Sequence, residues 1–108
     1  MKVFISQPMQ GKAPEEILME RAGAMVAARS LFNGSELEFI WSYNPDFDTR
    51  TRNGALKALA MSLNLLADAD FVFFARGWEK ARGCRIEREC AEEYGIPYGA
   101  EPVPVQGA

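Results

Sequence analysis

The chain contains no histidine, and this absence excludes more chemistry than any other feature of its composition. A Ser-His-Asp triad, a Cys-His pair, a histidine general base and an HExxH zinc site all need that residue. Any proton transfer must therefore depend on carboxylates, Lys, Tyr, Cys or a cofactor.

Cysteine is scarce, and long apolar segments are absent. Cys84 and Cys90 fall within one predicted helix, where a spacing of six residues separates their backbones by about 9 Å, beyond the roughly 7 Å that a disulfide spans. We therefore expect free thiols, as is usual in the cytosol. The N-terminal apolar run is too short for a signal peptide, and no segment approaches the roughly 18 apolar residues of a membrane span. The sequence predicts a cytoplasmic protein without a membrane partner.

An excess of positive charge is also missing. The chain has 12 Lys and Arg against 15 Asp and Glu, which gives a net charge of −3. Nucleic-acid-binding proteins usually carry a basic excess, so we expect no nucleic-acid partner. A length of 108 residues with 48% hydrophobic content is enough for one domain with its own core.

Strand-like and helix-like segments alternate along the chain. Short β-branched or aromatic runs predict strands, and apolar residues at spacings of three and four predict helices. The run Phe71–Ala75 has no polar alternation, which is typical of a central parallel strand. The expected strands are 3–5, 37–41, 71–75 and 96–98, and the expected helices are 14–32, 55–66 and 84–94. This order predicts an α/β fold: a single three-layer Rossmann-like or flavodoxin-like domain, with about four or five parallel strands and helices on both faces.

The helical spacing also predicts which side chains face the sheet. The expected inward residues are Leu18, Ala22, Met25, Val26 and Phe32 in the first helix, Leu56, Leu59, Leu63 and Leu66 in the second, and Ile86, Cys90, Ala91 and Tyr94 in the third. In folds of this class, ligands bind beyond the carboxyl ends of the strands. That rule selects the loops 6–12, 42–48 and 76–83.

The first of these loops has some features of a nucleotide-phosphate loop. Ser6 stands where that motif has its first glycine, and Ala13 follows Lys12 where a magnesium-binding Ser or Thr belongs, so a nucleoside-triphosphatase is not expected. Backbone N–H groups at a strand-to-helix turn can still hold an anion. Alternatively, Gly11 only relieves a tight turn and Lys12 is solvated.

The stretch 76–87 is the most unusual in the chain, because it carries four cationic side chains and leads into a helix. Gly77 and Gly83 bracket the loop, and Arg82 or Arg85 can donate hydrogen bonds to an anion such as a phosphate at the helix N-terminus. Glu87 follows in the first turns of this helix. It is either a surface acid that complements the helix dipole or a carboxylate held beside the sugar of a nucleoside.

Several other residues leave two interpretations open. Asp68 and Asp70 suggest a metal pair, but without histidine or a nearby third ligand we expect them to end a helix and start a strand, and we expect no metal site. Cys84 has either a pKa lowered by the helix N-terminus or a packing role. Trp78 either stacks on a ligand or covers the pocket, and Trp41 belongs to the core or to the pocket wall.

Three segments of the chain resemble a known family. They are VFISQPM with the GK that follows, ADADFVFFARGW, and ARGCRIERECAEEYGI. Together they resemble the DUF4406 family of small bacterial and phage proteins, within the nucleoside 2-deoxyribosyltransferase-like superfamily. The resemblance covers residues 1–101 and leaves 102–108 as a tail. It implies a compact Rossmann-like domain, often dimeric with its site near a subunit interface, so we expect a homodimer or a higher homo-oligomer.

The resemblance also implies a chemistry. In the catalytic members, a glutamate early in the helix after the third strand attacks the anomeric carbon, and the covalent glycosyl-enzyme is resolved by water or by a second base. Glu87 matches that glutamate, and a carboxylate nucleophile needs no histidine. Gly83 matches a phosphate-loop glycine. The residues that match the pocket-lining first loop are Ser6, Gln7, Met9, Gln10 and Gly11.

Three positions depart from the family pattern. Ser62 stands where the enzymes carry an aspartate that helps to protonate the leaving base. Gln10 replaces a cationic residue of the first loop, and Ala81 replaces a serine that holds phosphate in the nucleotide hydrolases. The nucleophile position is thus retained without the matching acid.

Three functions follow as hypotheses. The first is an enzyme that cleaves the N-glycosidic bond of a small-molecule nucleoside or nucleotide without a cofactor, by hydrolysis or 2-deoxyribosyl transfer. Glu87 would be the nucleophile in that enzyme. The other residues are Arg82, Gly83 and Arg85 for phosphate or sugar, with Tyr43, Trp78, Asp46 or Asp48 to stack on or protonate the base. The second hypothesis is a non-catalytic nucleotide-sensing module, and the third is a structural or interaction protein of a phage or mobile element.

Overall fold

The computed structural model describes residues 1–42 and 47–102. Its elements are β1 (Lys2–Ser6), α1 (Pro14–Leu31), β2 (Glu38–Trp41), α2 (Arg52–Leu66), β3 (Phe71–Phe74), a 3₁₀ turn (Trp78–Lys80), α3 (Arg82–Glu93) and β4 (Tyr98–Ala100). The predicted α/β class and alternation are confirmed. Helix α3 begins two residues earlier than predicted, and β4 begins two residues later. Of the predicted tail, 103–108 lie outside the described residues.

All four strands are parallel and form one sheet in the order β2-β1-β3-β4. Strand β1 is central, and Phe4 pairs with Ile40 on one side and with Val72 on the other. The chain leaves β1 toward one edge, to β2, and then returns across β1 to β3. The connections therefore diverge at the carboxyl ends of β1 and β3, which is the point where parallel sheets of this kind place their ligands.

The core has two layers, one on each face of the sheet. Alternate residues of a strand point to opposite faces, so Val3 and Ile5 pack against Ala24 and Ala28 of α1. On the other face, Phe4 belongs to a cluster formed with α2, β3 and α3 by Leu66, Val72, Phe74, Cys84 and Ala91. One helix therefore covers one face and two helices cover the other, as the predicted three-layer architecture requires.

The predicted inward face of α1 is only partly correct. Met25 is half-buried against the core and Phe32 is half-buried against Phe71, but the other three residues are exposed. Leu18 and Val26 are 60% and 62% exposed, and Ala22 is exposed as well. The buried residues are Ile17, Arg21, Ala24 and Ala28. Small alanine side chains allow the helix backbone to lie close to the sheet, so the alanine stripe packs inward although the bulkier stripe beside it is more apolar.

The inward faces of α2 and α3 are only partly as predicted. Leu66 and Ala91 are buried, but Leu56 is exposed, and Tyr94 is 83% exposed because α3 ends at Glu93. The buried residues of α3 are Cys84, Glu87 and Ala91. This face contains a carboxylate, which a search for apolar spacing overlooks.

The sequence predicted free cysteines and no membrane-spanning segment. Cys84 and Cys90 are free cysteines, as the spacing argument predicted. In the parts of the chain that the structure describes, no helix is both long enough and apolar enough to cross a membrane.

Candidate active site

Glu87 lies at the centre of the candidate site, where β1, α2 and α3 meet. Only 6% of its surface is exposed. The Ser6 hydroxyl at the end of β1 donates a hydrogen bond to Glu87 Oε1 at 2.6 Å, and the Ser62 hydroxyl of α2 donates to Glu87 Oε2. Each carboxylate oxygen thus has one hydroxyl donor, and the side chain is held in a single orientation.

A row of hydroxyl groups leads from Glu87 toward β2. Ser42, directly after β2, donates from its Oγ to Ser62 Oγ at 2.9 Å. The Ser62 hydroxyl in turn donates its hydrogen bond to Glu87 Oε2. Because every hydroxyl in this row donates toward the carboxylate, the row stabilises the ionised form of Glu87.

Burial raises the pKa of Glu87 above its usual value, and the hydrogen bonds from Ser6 and Ser62 offset part of that increase. Folding therefore favours the protonated carboxyl, and the stability this gives is complete below the unfolded pKa of about 4.3. It is lost as the pH rises through the higher pKa of the folded state. At pH values above that folded-state pKa, the ionised Glu87 consequently reduces the stability of the fold.

Replacement of Glu87 by glutamine is expected to stabilise the protein at alkaline pH, because the amide can bond both serines without a buried charge. Each unit by which burial raises the pKa corresponds to about 1.4 kcal/mol. For a small domain that is a shift of roughly 6–11 °C in Tm. Thermal melts from alkaline pH down to about pH 4.3 would show the advantage of Glu87→Gln shrinking as the pH falls. The exposed Glu89 of the same helix supplies the control, since Glu89→Gln should show no such trend. A pH-independent difference for Glu87→Gln would contradict the assignment.

Glu87 forms part of the floor of a cleft of about 1300 Å³ at the carboxyl end of the sheet. The cleft brings together most of the binding residues predicted from the sequence: Gln7, Met9, Gln10, Gly11, Arg82, Gly83 and Arg85. Ser6 lies behind Glu87 and not on the cleft wall. The predicted residues therefore converge on one site although two separate segments, the loop after β1 and the start of α3, supply them.

Trp78 and Asp48 do not line this cleft. The Trp78 ring packs 5.0 Å from the Phe74 ring, and Trp78 lines a separate groove along α3. Its predicted stacking on a ligand is therefore not supported by its position. Tyr43 and Asp46 lie outside the described residues. Asp48 is exposed and pairs with Arg50, whose Nε lies 2.9 Å from Asp48 Oδ1.

The lining of the cleft is strongly basic, although the chain as a whole is acidic. Glu87 is the single carboxylate among the described lining residues. The cationic lining residues are Lys12, Arg50, Arg52, Lys80, Arg82 and Arg85. A concave surface with one sign of charge concentrates ligands of the opposite sign, so this cleft favours an anionic ligand.

Half of these cations have partners in the structure. Lys12 pairs with Glu20 at 2.6 Å, Arg50 pairs with Asp48, and Arg85 Nη1 donates to the Glu79 carbonyl at 3.0 Å. The other three, Arg52, Lys80 and Arg82, form no ion pair with any residue that the structure describes. Their charge is available to a ligand.

Two helices also begin at the cleft without a side-chain cap. The residues before α1 and α3 are Ala13 and Ala81, and neither can accept a hydrogen bond from the first backbone N–H groups of its helix. Free N–H groups at a helix start carry a partial positive charge that suits an anion. They add to the positive charge of the cations.

The start of α2 is built differently. Thr51 Oγ1 accepts a hydrogen bond from Gly54 N at 3.0 Å and donates to the Asp48 carbonyl at 2.9 Å. A Cβ on Gly54 would lie 2.0 Å from that carbonyl oxygen, so only glycine fits. This tight turn fixes the segment that carries Arg50 and Arg52 to the cleft.

Cys84 lies one turn before Glu87 and is buried. Burial raises the pKa of its thiol to about 12, which keeps it protonated at neutral pH. The alternative of a lowered pKa is therefore wrong, and Cys84 packs within the core as a small apolar residue.

The sequence analysis missed Arg21, which is only 5% exposed on the inner face of α1. Its Nε donates to Gln7 Oε1 at 2.8 Å, and Gln7 Nε2 donates to the Ile17 carbonyl at 3.0 Å. Its guanidinium lies 4.9 Å from the centre of the Trp41 ring, and burial lowers its pKa. Arg21 thus fixes the Gln7 side chain at the end of β1. Its position in register with Ile17, Ala24 and Ala28 was the only sequence signal for this burial.

No group of three or more His, Cys, Asp or Glu side chains within 1–42 and 47–102 is arranged to hold a metal ion. A comparison of the chain with protein-family models, with curated proteins and with solved structures found no match in any of the three.

Proposed function

We propose that this protein cleaves the N-glycosidic bond of a nucleoside or nucleotide, by hydrolysis or by transfer of the sugar, with Glu87 as the nucleophile. One observation carries the proposal: a buried carboxylate, held by a hydroxyl on each oxygen, faces a cleft whose other charged walls are cationic. Such an arrangement places one negative charge where a sugar develops positive charge during bond cleavage.

The reaction proceeds in two steps. A Glu87 oxygen bonds to the anomeric carbon while the C–N bond breaks, and the electron pair of that bond leaves with the base. Water or a second base then attacks the same carbon, the ester to Glu87 breaks, and the carboxylate is restored. The proton that the attacking molecule loses neutralises the departed base. Each carboxylate oxygen has two lone pairs, so Ser6 and Ser62 can orient Glu87 while a lone pair remains for the attack.

The other walls of the cleft supply binding groups for the rest of a nucleotide. Arg82, Gly83 and Arg85 at the start of α3 suit a sugar phosphate. Ala55, Ala58 and Leu59 of α2 precede Ser62 on the same side of the helix and offer an apolar surface for the base.

The proposal is tested by incubating the protein with a panel of nucleosides and 5′-monophosphates and assaying free base by chromatography. We expect base release from at least one 5′-monophosphate, because the cleft favours anions. Saturable binding of a nucleotide without any base release would instead support the nucleotide-sensing hypothesis. Neither binding nor turnover would support the structural or interaction hypothesis.

Self-association stays a prediction from the family resemblance. The outward face of α1 carries Leu18, Met19 and Val26, all exposed, and such a surface is compatible with contact to a second copy. Sedimentation of the purified chain measures the oligomeric state directly.

A further inference from the structure

Among the lining residues that the structure describes, the cleft has no second carboxyl group that could protonate a leaving base. Enzymes that cleave glycosidic bonds usually pair the nucleophile or base with a second, protonated carboxyl group. Here Glu87 is the one carboxylate among the lining residues that the structure describes. Once Glu87 is bonded to the sugar it has no proton to give.

The other candidate groups among the described residues are poor acids. Asp48 is held in the ionised form by Arg50, which lowers the pKa of that carboxyl. The hydroxyls of Ser42 and Ser62 already donate along the row toward Glu87. The Cys84 thiol is buried, and burial raises its pKa to about 12.

The charge distribution of the cleft offers another way to break the bond. When the base of an N-glycoside is already cationic, cleavage moves the positive charge from the base to the anomeric carbon. The apolar wall of Ala58 and Leu59 and the surrounding cations disfavour positive charge on the base, and Glu87 favours it on the sugar. Both effects act in the direction of cleavage.

We propose that the substrate is a phosphorylated N-glycoside with a cationic base, such as a pyridinium or an N7-alkylated purine, which leaves without receiving a proton. The inference rests on the proposed function. Glu87 bonds to the anomeric carbon, the C–N electron pair neutralises the departing base, and water then hydrolyses the ester, giving its proton to solvent. No acid and no co-reactant other than water is needed, and the phosphate supplies the negative charge that the cations bind.

A matched pair of substrates tests the inference. Guanosine 5′-monophosphate and its N7-methyl derivative differ by one methyl group and one charge. We expect kcat/KM to be about 10²–10⁴-fold higher for the methylated nucleotide in mildly acidic buffer, where its base keeps the charge, because general acid catalysis contributes about that factor. The values compared are kcat/KM divided by the uncatalysed rate constant of the same nucleotide, because the glycosidic bond of the methylated nucleotide is also weaker in water. A larger enzymatic acceleration for the unmethylated nucleotide would show that an acid is at work and would overturn the inference.

The pH profile of kcat supplies an independent readout. With nicotinamide mononucleotide, whose pyridinium charge is fixed, kcat should rise as Glu87 loses its proton and then stay constant, without the falling limb that an essential acid produces. Strand β1 and helix α2 present only the hydroxyls of Ser6 and Ser62 to Glu87. The titratable and charged groups that line the cleft together with Glu87 in the described structure are Lys12, Arg50, Arg52, Lys80, Arg82, Cys84 and Arg85.

The possible outcomes separate the inference from the proposed function. A falling limb that disappears in Asp46→Asn or Tyr43→Phe would identify an acid and overturn the inference, while base release would uphold the proposed function. Absence of base release from every substrate, cationic or neutral, would overturn both. Selective release from the two cationic nucleotides, lost in Glu87→Gln, is the result that both require.

Discussion

Replacement of Glu87 by glutamine is expected to reduce kcat for base release by roughly 10⁴ to 10⁶, the order of loss seen when an enzyme loses its nucleophile. The amide keeps the shape of the side chain and can still bond Ser6 and Ser62. It cannot form the ester to the sugar, because an amide oxygen is a weak nucleophile and carries no charge to stabilise the cationic centre. Initial rates of base release, followed by chromatography over long incubations, measure the loss.

Two controls separate chemistry from folding. Glu89→Gln changes an exposed carboxylate two residues along the same helix and should leave kcat unchanged. Intact-mass analysis of acid-quenched reactions should show one added glycosyl group on the wild-type chain and none on Glu87→Gln. Undiminished base release by Glu87→Gln would remove Glu87 from the nucleophile role.

The same substitution should make the protein inactive and, at alkaline pH, more stable. The two effects have one origin, since the carboxylate is kept in a buried place that favours its neutral form. A structural acid on a helix surface would give neither effect. Residues that reduce stability where they serve function are common in active sites.

The strands were the easiest part of the fold to predict. Phe71–Phe74 is an uninterrupted apolar run, and it forms a buried strand next to β1. The strand order was not available from the sequence, because it depends on which connections cross the sheet. The helix faces were harder still: in α1 the alanine stripe and the Leu18–Val26 stripe both have helical spacing, and only packing against the sheet selects between them.

For the site, the sequence indicated the residues but not their contacts. Glu87 was selected by its place after β3, and the resemblance drew attention to Ser62 only because an aspartate is missing there. The hydrogen bond between Ser62 and Glu87 joins two consecutive helices that β3 separates in the chain. It exists because the strand order brings α2 and α3 to the same face of the sheet, which no local pattern records.

Replacement of Phe74 by alanine is expected to lower the free energy of unfolding by about 3–5 kcal/mol, the usual cost of removing a buried phenylalanine. Phe74 is fully buried at the carboxyl end of β3, on the face covered by α2 and α3. Its ring packs 5.0 Å from Trp78 and 6.0 Å from Tyr98, so the cavity would open beneath the 3₁₀ turn. Urea denaturation measures the loss. For a small domain it is a large part of a total stability of about 5–15 kcal/mol.

Phe71→Ala is the matched control for Phe74→Ala. Phe71 lies at the other end of β3, packs at 4.8 Å against Phe32 and is only partly buried, so Phe71→Ala should cost less stability. It should also leave catalysis unchanged, because Phe71 faces α1. Phe74→Ala loosens the turn that leads into α3 and should lower kcat even at temperatures where the chain is folded, since Glu87 must stay aligned to within a fraction of an ångström. Phe74→Leu should restore most of both properties. Equal effects of the two alanine variants on kcat would mean that α3 does not depend on this packing for its position.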